Sequence, residues 1–152
     1  MSTVAIRVAR LAEVDALVPL YEWLFEPPGS RPDAWDAERA ADALGGAIRS
    51  EDSVVLVAED DGRVIGFCTA YIDLESVRFG RRCWVEDLAV DPNRRSEGVG
   101  GALLTEARGW ARERGATHLE LDSAEARTDA HRFYEREGAN WRSLSYSWVL
   151  DE

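Results

Sequence analysis

The chain has 152 residues, 45% hydrophobic and 31% charged, the profile of one globular domain that keeps to water. Its net charge of −11 argues against a nucleic-acid partner, whose phosphates an acidic surface repels, and suits a cationic small molecule. No apolar run approaches the roughly eighteen residues of a membrane span, and the N-terminus has no secretory pattern, so a cytoplasmic protein away from membranes is expected.

Val4 to Ala9 alternates as a strand. Val14, Leu17, Val18, Tyr21, Leu24 and Phe25 share one helical face, which predicts a helix from about Ala12 to Phe25, ended by Pro27-Pro28-Gly29. A second helix is predicted from Asp33, its N-cap, to Ser50, with Gly45-Gly46 weakening its second half. Val54 to Ala58 and Arg63 to Asp73 are strands, and the turn Asp60-Asp61-Gly62 makes them a hairpin. Arg82 to Val90 is a further strand, stopped by Asp91-Pro92. A helix follows from about Gly98 to Arg114, closed by Gly115. His118 to Asp122 is a short strand, and Asp129 to Glu137 a helix ended by Gly138. Leu144, Tyr146, Trp148 and Leu150 alternate with Ser143, Ser145, Ser147 and Val149, predicting a terminal strand. The order β-α-α-β-β-β-α-β-α-β makes the fold class α/β (α+β), a sheet with helices on its faces.

Cys68 and Cys83 form no CxxC and lie in apolar strand runs, so buried, reduced thiols are expected. His118 and His131 lack a metal-ligand spacing, and no metal is expected.

The segment with chemistry in it runs from Arg94 to Leu104, between a strand and a helix. A helix N-terminus carries unpaired amides and about half a positive charge, which attract phosphate. Gly98 and Gly100 let the backbone approach an anion, and Arg95 adds a cation. By itself this pattern also fits a plain strand-to-helix turn. A P-loop is excluded, because the turn has no Lys. A dinucleotide fingerprint fits poorly, because Leu103 stands where its third Gly belongs.

Arg95-Ser96-Glu97-Gly98-Val99-Gly100 fits Gln/Arg-x-x-Gly-x-Gly/Ala and resembles the coenzyme A pyrophosphate loop of the GNAT superfamily of N-acetyltransferases. Glu86 to Pro92 is similar to that family's fourth strand and its exit, and Ala130 to Gly138 to its late helix with a tyrosine. The likeness runs over nearly the whole chain. It implies a single domain over residues 1–152, with a mixed, mostly antiparallel central sheet splayed near the fourth strand. Acetyl-CoA is the implied cosubstrate. Its diphosphate would lie on Arg95, Ser96, Glu97, Gly98, Val99, Gly100 and Gly101, and its pantetheine along Leu88, Ala89 and Val90. A homodimer through edge strands is implied too, with the alternating last strand as candidate interface. Two positions depart from the pattern. Arg127 stands where many relatives carry Asn, so that contact is missing or replaced, and Glu97 puts a negative charge in the phosphate turn.

Acetyl transfer to an amine poses two proton problems. An amine with a pKa of about 10.4 costs roughly 4.6 kcal/mol to neutralise at pH 7, and the departing thiolate needs a proton. The resemblance makes Tyr134 the acid. Glu86 is the candidate base, its mid-strand burial raising its pKa. Asp87 is the runner-up, because strand parity turns one of the two into the cleft and a bulge can reverse the choice. Alternatively both carboxylates pair with an Arg. The acceptor, a small-molecule amine, is expected against Tyr21, Trp23, Phe25, Asp73 and Asp87, with Glu22 and Trp35 nearby, since aromatic faces and carboxylates suit a cation. A non-catalytic acyl-CoA-binding domain, a longer acyl donor, or a protein amine as acceptor are the alternatives.

Overall fold

The β-rich runs pair into one sheet of five strands in the order β1-β2-β3-β4-β5. These are β1 (Ala5–Val8), β2 (Ser53–Asp60), β3 (Arg63–Ile72), β4 (Arg82–Val90) and β5 (His118–Leu121). The structure, a computed structural model, describes residues 4–150 apart from Ala126. β1 to β4 run antiparallel to one another, and β5 lies parallel to β4. The β2–β3 hairpin closes through Asp61 and Gly62, both at positive φ, the twist that such a two-residue turn needs.

Helices cover both faces. On one face α4 (Val99–Glu113) sets Val99, Leu103, Leu104, Ala107 and Ala111 against Leu56, Cys68, Ala70 and Val85. Phe133 of α5 (Thr128–Arg136) packs on that core. On the other face Val14, Leu17 and Leu44 meet Val55, Val57, Phe67 and Ala89. β2 is therefore buried on both sides, which is why it reads as an unbroken apolar run.

Three sequence expectations are corrected. The helix over residues 12–25 is instead a chain of short pieces. These are 3-10 turns at Leu11–Glu13 and Val18–Tyr21, with α1 (Val14–Leu17) and α2 (Glu22–Phe25) between and after them. Pro19 has no amide to continue a helical ladder, so the segment bends there. α3 (Ala37–Arg49) starts later than expected and is capped by Asp36 rather than Asp33. The Asp36 carboxylate accepts from the Glu38 and Arg39 amides at 2.9 and 3.2 Å, while Asp33 lies in a turn closed by the Trp35 amide on the Pro32 carbonyl. Gly45-Gly46 does not break α3, because Gly45 is buried against Leu11.

The third correction concerns the C-terminus. Residues 139–150 form no strand. The segment touches the sheet only locally. Trp141 stacks against Phe79 and His118, and the Ser145 hydroxyl meets the Asp122 carboxylate at 3.0 Å. Trp148 and Leu150 are 78% and 95% exposed. Alternation makes a segment ready to be a strand, but without a ladder of backbone bonds nothing holds it as one.

Candidate active site

The site begins where two strands part. The β4–β5 ladder covers Arg82 to Val85 against His118 to Leu121 and goes no further. From Glu86 to Val90, β4 stays paired to β3 on one side only. Its other edge therefore offers backbone donors and acceptors with no strand to receive them. Leu88 and Val90 are half-buried on the α4 side of this free edge, and Ala89 points to the opposite core.

The same strand carries a bulge. Thr69 pairs with Asp87, but the next β3 residue, Ala70, pairs with Val85. Glu86 is the extra residue, and it reverses the faces of everything beyond it. Val85 and Leu88 thus share one face, and Asp87 turns to the other. There its Oδ2 accepts from the Tyr21 hydroxyl at 2.7 Å and from the Thr69 hydroxyl at 2.9 Å. The Asp87 amide returns a bond to the Thr69 oxygen at 3.1 Å. Among the described residues Oδ1 has no hydrogen-bond donor, so it can take one from a ligand. Burial first, then the charge of Asp87, pushes the Tyr21 phenol well above its ordinary range, so it keeps its proton and stays a donor.

Glu86 itself is exposed at the fork between β4 and β5. Partial burial and the nearby charge of Asp87 hold its carboxyl above the usual carboxylate range, and a bond from Trp84 works against them. Around Asp87 stands an aromatic wall. Tyr21 packs on Phe67 and Trp35 at ring separations of 4.8 and 5.6 Å, Trp23 on Phe67 at 6.1 Å, and Phe25 edge-on to Trp35 at 4.8 Å. Glu22 is tied to Arg31 at the surface. Asp73 is not part of this group: it lies beyond the end of β3 and pairs with Arg82 at 2.8 Å.

The turn after β4 is built for an anion. Ser96 and Gly98 both have positive φ, 66° and 85°, and a Cβ at Gly98 would meet open space. Among the described residues, the backbone amides from Arg95 to Gly101 donate to no protein group. Such a row of free amides at a helix start fits the diphosphate of coenzyme A. Gly100 has a different task from the one expected: a Cβ there would press on the Phe133 ring at 3.3 Å, so its bareness lets α5 close on α4. Glu97 is matched by Arg94, which bonds it at 3.0 Å and also holds Asp60 at 2.6 Å. That pairing takes the sting from the acid in the turn. Arg95 is exposed and, among the described residues, unpaired.

Tyr134 approaches from α5 on the α4 side. Burial raises its phenol pKa, Arg127 pulls it back, and Cys68 adds a smaller upward push. Cys68 is the β3 partner of Leu88, so the phenol stands over the free part of β4. The two thiols are buried and unpaired, with Cys68 pushed up to about 12 and Cys83 to about 11, so both stay protonated and unreactive. Among the described residues no group of three His, Cys, Asp or Glu side chains converges as a metal site would require.

Sequence reasoning missed Thr69, which fixes Asp87, and the reach of Arg127. A threonine among β-formers carries no local signal, and only the register brings it to Asp87.

Residues 16–139 match the model of the acetyltransferase (GNAT) family. An uncharacterized N-acetyltransferase of Bacillus subtilis, YhfO, is 33% identical over 88% of this chain and 87% of its own. The aminoglycoside N(6')-acetyltransferase type 1 of Klebsiella aerogenes is 33% identical over 60% of this chain and 63% of its own. The solved structure of an aminoglycoside N-acetyltransferase, AAC(6')-Iy, in complex with CoA shares the fold, with a TM-score of 0.84, 18% identity and coverage of 99% and 96% of the two chains.

Tyr21→Phe removes one of the two hydroxyls that hold Asp87. It should lower unfolding stability in urea by about 1–2 kcal/mol. Unchanged stability would mean that the Tyr21–Asp87 bond contributes nothing to the fold.

Proposed function

This chain belongs to the acetyltransferase (GNAT) family, and on that premise we propose that it moves the acetyl group of acetyl-CoA to a primary amine of a small cationic molecule by direct attack. That it is an acetyl-CoA-dependent N-acetyltransferase follows from the family; the acceptor and the mechanism are our reading. The single observation that carries the reading is the juxtaposition at the fork: a free β4 edge and a row of free amides on one side, Asp87 in an aromatic wall on the other.

In this reading the diphosphate lies on the amides of Arg95 to Gly101 with Arg95 beside it, and the pantetheine arm runs along Leu88 to Val90. The thioester then lies at the fork. The acceptor ammonium docks against Asp87 Oδ1, with Tyr21, Trp23 and Phe25 as its aromatic wall. Asp73, engaged by Arg82, would take part only at the rim. Glu86, directly or through a water, takes a proton from the amine. The nitrogen lone pair forms the new C–N bond, the C–S bond breaks, and the thiolate collects the Tyr134 proton. A carboxyl above its usual range is nearer the operating pH and so a better base. The similarity to an aminoglycoside acetyltransferase supports an amine on a small molecule as acceptor. Two buried free thiols suit a reducing, cytoplasmic setting.

We also read the chain as a homodimer. In its support, residues 144–150 alternate as a strand, expose their apolar side chains and leave the outer edge of β5 without a partner among the described residues. A two-fold exchange gives each segment the other copy's edge.

Thiol release with acetyl-CoA over a panel of amines tests the chemistry. Tyr134→Phe should cut kcat about a hundredfold. A base must be ionised, so the rate falls as pH drops through the raised Glu86 pKa; Glu86→Gln should lower kcat and abolish that acid limb. An acid limb kept in Glu86→Gln but lost in Asp87→Asn would transfer the role to Asp87. Sedimentation tests the assembly: the full chain should run at twice its mass, and a chain ending at Trp141 at single mass. A monomeric full chain, or a truncated dimer, would contradict it.

A further inference from the structure

Arg127 begins α5, and its side chain leaves that helix altogether. Its guanidinium donates to the Leu24 carbonyl at 2.6 Å, across more than a hundred residues of sequence. Leu24 lies in the last turn of α2, where carbonyls have no helical partner. The same short stretch carries Tyr21, Trp23 and Phe25. Meanwhile Tyr134 is seven residues along from Arg127, about two helical turns, and so on the same side of α5. The charge of Arg127 is felt at the Tyr134 phenol.

The chain after α2 is shaped around this contact. The Gly29 amide donates to the Glu26 carbonyl at 2.7 Å, folding residues 26–29 back on α2. A Cβ on Gly29 would collide with both the Leu24 carbonyl oxygen and the Arg127 guanidinium. One of these is backbone and cannot swing away. The loop thus closes over the arginine with no room for a side chain at Gly29.

We propose that Arg127 is a positioning residue for acetyl transfer, tying the aromatic wall on the acceptor side to the helix that carries Tyr134. The tether fixes how far the amine's wall stands from the proton donor. It rests on the reading of Tyr21, Trp23 and Phe25 as the acceptor wall, and it adds a specificity consequence: loss of the tether is felt by the amine and not by acetyl-CoA.

The test compares Arg127→Ala, Arg127→Lys and Gly29→Ala with the native chain. Arg127→Ala should lower kcat/KM for the amine about tenfold or more, the scale of a lost charge-assisted bond, chiefly through the amine KM. The KM for acetyl-CoA should stay within twofold of native. Arg127→Lys, which can still donate to the Leu24 carbonyl, should recover much of the loss. Gly29→Ala, which keeps the charge but forces the pair apart, should reproduce the amine defect. Amide hydrogen exchange across residues 24–29 gives a readout independent of turnover and should quicken in Arg127→Ala, with α4 unaffected. Unchanged exchange there, or a defect confined to acetyl-CoA, would overturn the tether. Should the native chain acetylate no amine while exchange quickens as expected, the acceptor reading fails and the tether stands as structure alone.

Discussion

One residue too many in β4 governs the geometry of the whole site. Glu86 has no partner on β3, so the alternation of faces reverses between Val85 and Asp87. Had the strand been regular, Leu88 would have faced the helices before α3, and Asp87 would have been driven into the apolar core beneath α4. A buried carboxylate without a donor is costly, and that core supplies none. The bulge instead delivers Asp87 to Tyr21 and Thr69 and keeps Leu88 and Val90 on the side of α4 and Tyr134. It also coincides with the last rung of the β4–β5 ladder, so the sheet opens where the strand twists most.

Two halves of a reaction site follow from that opening. On one side lie backbone groups that a regular sheet would have consumed, continued by the free amides of the turn at Arg95 to Gly101. On the other lies a carboxylate held by one oxygen in a wall of rings. Polar groups left unpaired inside a fold are expensive, and a protein that keeps a row of them at a helix start retains them for a ligand. The ion pairs near the turn agree with this. Arg94 absorbs the charges of Glu97 and Asp60, leaving Arg95 to face solvent.

Much of this was legible in the sequence, and the rest was not for reasons that can be named. β4 has the bounds that its apolar run and Asp91-Pro92 predict, and α4 follows the glycine turn as expected. Those are local signals. The α1–α2 segment failed as one helix because hydrophobic spacing says nothing of a missing amide at Pro19. The cap of α3 moved to Asp36 because two nearby aspartates are equal in composition and only the turn before them decides. The choice of face for Glu86 and Asp87 depended on a register with Thr69, eighteen residues away. Asp73 looked available because its partner, Arg82, comes from the neighbouring strand. The last strand was absent because a strand is a property of two segments, and the alternation of Leu144 to Leu150 describes one.

The account depends on the free β4 edge and the turn amides being one continuous binding surface for coenzyme A. Titrating the isotope-labelled chain with coenzyme A and following every backbone amide by NMR tests that directly. The largest shifts should fall on Arg95 to Gly101 and on Leu88 to Val90, with β1 and β2 still. Binding that leaves those amides unmoved, or that shifts a different face of the sheet, would contradict it.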